Sequence, residues 1–320
     1  MRMINGHGDD LYRYDNIRMN FSSNIFSHAD LSGLKKHLAE RMEVIGSYPE
    51  PEPYTLEQML AERMGISADC VMVTNGATEA IYLIAQAFSN CRPVVHEPTF
   101  SEYASATKTC GGERELHFIC NPNNPTGRVE TPTMNPHALY VIDQAYENYT
   151  LKPLLKDTET TESNNVMLLH SMTKQYCIPG LRLGYVTASK HIISQLREHR
   201  QPWSVNALAI EAGMYLLENG IPNFPDLHEY LGETKRLARE LNAIEGVEMT
   251  YSDTTFMLGT IKQITAAEFK ERLAREHGIL IRDASNFTGL TSHHFRVATQ
   301  DRHENNTLVK AIKMIIDTTI

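Results

Sequence analysis

The stretch Ser171-Met-Thr-Lys-Gln-Tyr-Cys-Ile-Pro-Gly-Leu-Arg-Leu-Gly-Tyr185 decides how the rest of the chain is interpreted. It places Lys174 between the hydroxyls of Ser171 and Thr173, and it places Arg182 beyond a Pro-Gly turn. A lysine that forms an imine needs a pocket in which it can lose its proton. Neighbouring hydroxyls and an arginine suit a cofactor that also carries a phosphate. The stretch therefore predicts a covalent cofactor site at Lys174.

Composition narrows the class of protein. The chain has 320 residues, of which 42% are hydrophobic, and a net charge of −9. Its length predicts a large domain and a smaller one. The acidic balance, with no basic run, gives no reason to expect nucleic acid. No apolar run is long enough to span a membrane, and no signal peptide is evident.

Cysteine and histidine usage adds two expectations. Five scattered cysteines without a C-x-x-C pair predict free thiols, and we therefore expect a cytoplasmic protein. No two of the 14 histidines lie at a metal-ligand spacing beside a cysteine or glutamate. We expect no metal site.

Short apolar runs alternate with helical patterns in the first two thirds of the chain. They predict buried strands over residues 70–74, 93–96, 116–120, 139–143, 166–170 and 183–187. Such strands joined by crossovers favour a mostly parallel sheet covered by helices. Polar clusters follow four of them, at residues 75–79, 121–127, 143–146 and 171–174. Because ligands bind at the carboxyl ends of parallel strands, we expect these clusters to converge on one crevice.

The two ends of the chain follow other patterns. Near the N-terminus we predict a short strand and an exposed turn over 20–25, and an amphipathic helix over 31–45. The last hundred residues predict a smaller α+β unit, including one strand over 279–282. We divide the chain into an N-terminal segment (1–45) that contributes to the small domain and covers the site, a large domain (46–220) and a small C-terminal domain (221–320).

Six motifs follow one another along the chain: Asn75-Gly-Ala-Thr-Glu79, Asn124-Pro-Thr-Gly127, Asp143-Gln-Ala-Tyr146, Ser171-Met-Thr-Lys174, Arg182 and Phe295-Arg296. In this order they resemble fold-type I enzymes that use pyridoxal 5′-phosphate (PLP), the aspartate aminotransferase superfamily. The resemblance covers nearly the whole chain. It implies an α/β fold, in which helices sandwich the mostly parallel sheet of the large domain and the smaller C-terminal domain is α+β.

The resemblance also implies a role for each cofactor residue. Lys174 would form the imine with PLP and move protons at Cα, and Asp143 would pair with the protonated pyridine nitrogen. Tyr146, the third implied catalytic residue, and Asn124 would hydrogen-bond the phenolate oxygen of the ring. An aromatic residue would stack on the ring, either Phe100 or its neighbour Tyr103. The phosphate would be held by Gly76, Ala77, Thr78, Ser171 and Arg182.

Within the superfamily, Tyr48-Pro-Glu-Pro is similar to the histidinol-phosphate aminotransferases and the L-threonine-O-3-phosphate decarboxylases. In both groups this tyrosine reaches the cofactor phosphate of the partner subunit, which implies a homodimer. The implied substrate is a small phosphorylated amino acid. Arg296 would bind its α-carboxylate and Arg282 its phosphate, and Asn24 and His7 are also expected to contact it.

Several segments favour the decarboxylases, which act in cobalamin synthesis: Gly6-His-Gly-Asp9, residues 20–25, Pro202-Trp-Ser-Val-Asn-Ala207 and residues 278–290. We therefore prefer decarboxylation of threonine phosphate, with transamination of histidinol phosphate or another amino acid as the alternative. The two reactions differ in which Cα bond stands perpendicular to the imine plane, and no motif encodes that pose. A third alternative is a PLP-fold protein that binds ligands or regulates without turnover, against which Lys174, Asp143 and Arg296 argue.

Three departures from the family pattern stand out. Gln144 occupies a position where glutamate is usual, and Ser252-Asp-Thr-Thr-Phe256 lacks the usual Ala-Asn-Phe, which puts one substrate contact in doubt. The segments 110–120 and 127–143 are shorter than the family's helical crossovers. A parallel crossover needs about a dozen residues or more. We therefore expect a covering helix to be shortened or lost, leaving that sheet face thin or covered by a partner.

Overall fold

The computed structural model describes residues 8–319 and contains twelve strands and eleven α-helices over that range. The strands are β1 (Met19–Asn20), β2 (Val71–Thr74), β3 (Arg92–Val95), β4 (Glu115–Cys120), β5 (Leu139–Asp143), β6 (Val166–His170), β7 (Gly184–Ala188), β8 (Val247–Met249), β9 (Phe256–Ile261), β10 (Ile279–Leu280), β11 (Arg282–Asp283) and β12 (His294–Ala298). The helices are α1 (Ser32–Glu40), α2 (Tyr54–Met64), α3 (Gly76–Ala87), α4 (Glu102–Ala106), α5 (Asp157–Thr160), α6 (Met172–Gln175), α7 (Lys190–Arg197), α8 (Ala207–Asn219), α9 (Leu227–Asn242), α10 (Ala266–His277) and α11 (Arg302–Asp317). None of the described helices combines the length and the apolar character needed to cross a bilayer.

The large sheet has the strand order β2-β7-β6-β5-β4-β3. Strands β3, β4, β5 and β6 are parallel, and β7 runs antiparallel to both of its neighbours. Five strands therefore point the same way, which confirms the mostly parallel sheet. Apolar cores cover both faces: one contains Phe118 and Val141 with α3 and α7, and the other contains Val73 with α2 and α8.

The C-terminal unit is built on an antiparallel sheet of order β11-β12-β9-β8. Its core joins α9, α10 and α11 and also includes Phe21 from the N-terminal segment. The predicted single strand over 279–282 is wrong, because the chain changes sheets at Ile281. Strand β10 pairs with β1, whereas β11 pairs with β12. The domain boundaries at residues 45 and 220 stay predictions.

Two predictions for the N-terminal segment are also wrong. The helix predicted over 31–45 is shorter, because α1 ends at Glu40 and a 3-10 helix follows it. Met42 and Ile45 are 46% and 65% exposed, so these apolar residues do not extend the buried side of the helix. The segment after Asn20 is buried rather than an exposed turn. Phe21 is held on both sides, because its N–H donates to Leu280 O at 2.7 Å and its carbonyl accepts from Ala298 N at 2.9 Å. This segment thereby reaches the site described below.

The shortened crossovers leave part of the large sheet uncovered, as the sequence predicts. Residues 121–138, which join β4 to β5, contain no helix, and the only helix between β3 and β4 is the five-residue α4. A cavity of about 530 Å³ lies over this face and is lined by His96, His117 and Tyr140 among others. The expected loss of a covering helix is therefore confirmed.

Candidate active site

A second cavity, of about 310 Å³, lies at the carboxyl ends of the parallel strands. It collects most of the residues that the sequence predicts for the site: Asn24, Ala77, Thr78, Phe100, Asn124, Asp143, Tyr146, Ser171, Lys174, Arg182, Arg282 and Arg296. Gly76 and Tyr48 do not line it, and His7 lies outside the described residues. The clusters that follow β2, β4, β5 and β6 therefore meet in one crevice.

Lys174 is carried by the short helix α6, directly after β6. The helix is tied to the chain before β7, because the N–H and the hydroxyl of Thr173 both donate to Leu183 O, at 3.0 and 3.2 Å. Burial, together with the positive charges of Arg296 and Arg182, lowers the pKa of the Lys174 amine to about 8. A larger share of this amine is therefore uncharged at neutral pH than for an ordinary lysine, as nucleophilic attack requires.

Asp143 ends β5 and is 4% exposed. Its Oδ2 accepts a hydrogen bond from the Tyr103 hydroxyl at 2.7 Å, and its Oδ1 accepts one from Ala145 N at 2.9 Å. Burial raises the pKa of Asp143, whereas these two donors lower it. The hydrogen bonds thus favour the carboxylate that a cationic partner in the cavity needs.

Tyr103 contacts the site in a way that the sequence did not predict. The motifs indicated it only as an alternative to Phe100 for stacking on the ring, but it is fully buried and donates to Asp143. Phe100 lines the cavity and meets the Tyr103 ring edge-on, with centroids 5.7 Å apart. No spacing rule links Tyr103 to a carboxylate 40 residues away, so only the fold reveals the contact.

We expect Tyr103→Phe to lower kcat about tenfold, which corresponds to about 1.4 kcal/mol. The variant keeps the ring but removes one donor to Asp143, and hydrogen bonds to charged groups contribute about 1.5–3 kcal/mol. Steady-state kinetics should show a fall in kcat with little change in KM, together with a changed pH dependence of the cofactor absorbance. The control is Tyr140→Phe, which removes a buried hydroxyl that accepts from Asn135 N in the other cavity. Equal kinetics for the Tyr103→Phe and Tyr140→Phe variants would contradict this role.

The N-terminus of α3 and Arg182 form a concave anion site. Gly76 begins the helix with φ of +73°, and a Cβ atom there would lie 2.7 Å from Arg182 Nη2. A side chain at this position would therefore be strained and would fill the space beside the guanidinium. Ala77 and Thr78 line the cavity in the same helical turn, where backbone N–H groups favour phosphate.

Arg296 connects three parts of the chain at the cavity. Its guanidinium donates to Asn124 Oδ1 and, at 2.6 Å, to Ser22 O. Arg282 lies directly opposite Arg296 in the β11–β12 pairing, and its Nη2 donates to Asn286 Oδ1 at 2.6 Å. Both arginines are 5% exposed. Two buried cations make this end of the cavity favourable for anionic groups.

Two neutral polar residues complete the wall. Tyr146 is 6% exposed and packs on Phe256, with ring centroids 4.8 Å apart. Asn24 is 3% exposed, and neither atom of its carboxamide has a hydrogen-bond partner among the described residues. Because a buried polar group without a partner is costly, the Asn24 carboxamide is a candidate to bind a ligand in the cavity.

Residues that the sequence did not single out also line the cavity. Asp9 contributes from the N-terminal segment, where its Oδ1 accepts from Asn20 Nδ2 at 2.6 Å, and Phe287 contributes from the loop after β11. The segment 252–256, which departs from the family pattern, makes contacts outside the cavity. Ser252 and Thr254 do not line the cavity. Ser252 Oγ donates to Phe256 O at 2.6 Å, and a Cβ atom on Gly127 would clash with it.

Tyr48 lies away from the cavity of its own chain. Its side chain is 84% exposed, and its ring meets that of Trp203 with centroids 5.2 Å apart. Trp203 N donates to Pro51 O at 2.8 Å, which fixes the proline-rich loop beside it. The structure therefore leaves Tyr48 on the surface, where its predicted contact with a partner subunit stays a prediction.

Comparison with known proteins agrees with this arrangement. The family model for aminotransferase class I and II matches residues 16–116 and 114–312. The chain belongs to this family. A putative threonine-phosphate decarboxylase from Caldanaerobacter subterraneus subsp. tengcongensis is 30% identical to it, over 96% of this chain and 93% of the relative.

Two further relatives have the two activities considered above. The solved structure of L-threonine-O-3-phosphate decarboxylase from Porphyromonas gingivalis has a TM-score of 0.89 at 35% identity, covering 94% of this chain and 100% of the other. A histidinol-phosphate aminotransferase from Thermoanaerobacter pseudethanolicus is 27% identical over 85% of each chain. The resemblance read from the motifs and the α/β fold are thereby confirmed.

Proposed function

We propose that this protein is a PLP-dependent enzyme that decarboxylates a small phosphorylated amino acid, with L-threonine-O-3-phosphate as the preferred substrate. One observation carries the proposal: Arg282 and Arg296 lie opposite each other on paired strands, both are buried, and both line the cavity that contains Lys174. A substrate with a carboxylate and a phosphate would present one anion to each of these guanidinium groups.

Each arginine suits one anion. Arg296 donates to Asn124, at the cofactor end of the site, so we assign it to the α-carboxylate next to the reacting carbon. Arg282 lies beside Asn286 and has its guanidinium 5.3 Å from the centroid of the Phe287 ring, so we assign it to the distal phosphate. Asn24, whose carboxamide lacks a partner, provides a further donor and acceptor for the substrate. His7, the other residue expected at the substrate, lies outside the described residues.

The residues present fit PLP. Lys174 would be its covalent anchor and Asp143 the partner of its pyridine nitrogen, while Tyr146 and Asn124 would hold its phenolate oxygen. Gly76, Ala77, Thr78, Ser171 and Arg182 would hold its phosphate. PLP, when bound, supplies an electron sink for the charge that develops at Cα. The space beside Arg182 that a Cβ on Gly76 would fill supports this fit.

Cofactor incorporation should depend on pH through Lys174. Because the pKa of this amine is lowered to about 8, its uncharged fraction grows as the pH rises through that value. The initial rate of PLP incorporation into the apoenzyme should therefore rise about tenfold from pH 7 to pH 9 and then level off. Stopped-flow absorbance measures this rate. A rate that keeps climbing to the ordinary lysine range would contradict the lowered pKa.

The decarboxylase is preferred over the aminotransferase because of the comparisons. The threonine-phosphate decarboxylases match more of this chain, and at higher identity, than the histidinol-phosphate aminotransferase does. Transamination of histidinol phosphate is the second candidate, and the two paired arginines suit decarboxylation better. Histidinol phosphate carries no carboxylate, so in that transamination Arg296 would meet one only in the amino acid and 2-oxo acid of the other half-reaction, whereas threonine phosphate offers both anions in one molecule.

The deciding experiment incubates the holoenzyme with L-threonine-O-3-phosphate in the absence of any 2-oxo acid. We expect release of CO₂ and formation of a phosphorylated amino alcohol in equal amounts. L-Threonine, which lacks the phosphate for Arg282, is the control substrate and should react far more slowly. Strict dependence on 2-oxoglutarate, or turnover of histidinol phosphate alone, would overturn the proposed decarboxylation.

The proposal also covers the oligomeric state, the cellular compartment and the pathway of the enzyme. We propose a homodimer in which Tyr48 reaches the partner's cofactor phosphate, supported by the exposed aromatic pair of Tyr48 and Trp203. The five cysteines are free, which supports a reducing cytoplasmic compartment. A role in cobalamin synthesis follows from the preferred substrate. Light scattering of the purified protein tests the dimer.

A further inference from the structure

A cluster of potential metal ligands lies outside the active site, where the two ends of the chain meet. His28 lies in the N-terminal segment, shortly after Ser22 to Asn24, which line the cavity. Asp301 and Glu304 lie at the start of α11, just after the strand that carries Arg296. Sequence spacing could not predict this cluster, because its members come from opposite ends of the chain.

The three side chains converge on a small volume. His28 Nε2 lies 3.3 Å from Asp301 Oδ2 and 3.1 Å from Glu304 Oε2, and one such atom from each residue lies within 4.8 Å of the others. Zinc bonds to nitrogen and oxygen are about 2.0–2.2 Å long. Two ligands of one tetrahedral ion are therefore roughly 3.3 Å apart, which the two distances from His28 Nε2 match.

The two carboxylate oxygens that face His28 accept no hydrogen bond from elsewhere in the described residues. Asp301 uses Oδ1 to cap α11, where it accepts from Glu304 N at 2.8 Å, so Oδ2 faces His28. Glu304 is only 8% exposed, and apart from the His28 imidazole at 3.1 Å its Oε2 has no polar partner in the described part of the chain. A cation placed among these three side chains would stabilise this buried carboxylate oxygen.

We propose that His28, Asp301 and Glu304 bind one divalent transition-metal ion, such as Zn²⁺ or Mn²⁺. An imidazole nitrogen with two carboxylate oxygens is a ligand set suited to these ions, whereas Ca²⁺ takes six to eight oxygens. Two carboxylates and a neutral imidazole carry a charge of about −2, which a dication balances. The positive end of the α11 dipole, about half a charge, is too small to reverse this preference.

The ion would reinforce an existing connection between the N-terminal segment and the C-terminal unit. Ser27 N and Oγ both donate to Gln300 Oε1, and Gln300 Nε2 donates to Ile25 O at 3.0 Å. Arg296 also donates to Ser22 O, within the cavity. A metal bridge from His28 to α11 would therefore stabilise the segment that closes the active site, without touching the reacting atoms.

The test uses the holoenzyme, freed of excess PLP, stripped with a chelator and then titrated with ZnCl₂ or MnCl₂ in a calorimeter. We expect one ion per chain and a metal-dependent rise in Tm. His28→Gln should weaken binding at least tenfold and remove the rise. Asp301→Asn should do the same while keeping the helix cap, since asparagine caps as well as aspartate.

The matched control is His303→Gln, which removes an exposed histidine from the same end of α11. It should bind the ion like the unchanged protein. Because the readout is the metal-dependent part of Tm, a loss of the His28 ion pairs alone does not imitate the result. Absence of binding, or equal affinity in the unchanged protein and in the His28→Gln variant, would overturn the proposal.

Discussion

Lys174→Ala is expected to abolish turnover, with kcat lowered about 10⁴-fold or more. The substitution removes both the covalent anchor of the cofactor and the group that moves protons at Cα, and general acid–base catalysis alone contributes up to about 10⁴-fold. Release of CO₂ from threonine phosphate, at saturating PLP, measures the loss. The near-visible absorbance of the cofactor imine should disappear in the same preparation.

Lys313→Ala is the control for this experiment, because Lys313 is an exposed residue of α11. It should keep both the activity and the absorbance of the unchanged enzyme. Normal turnover by the Lys174→Ala variant would remove Lys174 from the catalytic site, whatever the identity of the substrate.

Asp143→Asn is expected to have the second largest effect, a fall in kcat of about 10²-fold or more. Asparagine has nearly the same shape, but its single oxygen can accept from only one of Tyr103 and Ala145 N, and it lacks the charge that keeps a pyridine nitrogen protonated. Hydrogen bonds to charged groups contribute about 1.5–3 kcal/mol, and each 1.4 kcal/mol is about tenfold in rate. Steady-state kinetics with threonine phosphate measure the change, and KM should change less than kcat.

The control is Asp226→Asn, at the N-terminus of α9. Asp226 Oδ1 accepts from His228 N and Glu229 N, and asparagine caps a helix equally well, so fold and activity should be preserved. An Asp143→Asn enzyme that keeps its kcat would show that the carboxylate plays no part in the reaction.

The sequence predicts the large sheet and the crevice at the ends of its strands, for a physical reason. Strands buried on both faces form continuous apolar runs, such as Val166–His170, and the polar motifs follow them directly. In a parallel sheet, these strand ends must lie at one edge. The fold of this part of the molecule therefore follows from local patterns.

The substrate end depends on contacts that no local pattern encodes. Strands β10 and β11 form separate pairings because β1, from the other end of the chain, pairs with Ile279 and Leu280. The Tyr103–Asp143 hydrogen bond and the His28 cluster likewise join residues far apart in the sequence. Phe21 is buried by the C-terminal core, so the sequence around Phe21 does not predict its burial.

The most direct test of the cofactor site is to reduce the holoenzyme with borohydride, digest it and locate the added mass by mass spectrometry. Reduction makes the imine bond permanent, so the modified lysine can be read from the peptides. We predict one pyridoxyl phosphate group per chain, carried by Lys174. Modification of a different lysine, or none at all in a protein that turns over threonine phosphate, would contradict the account.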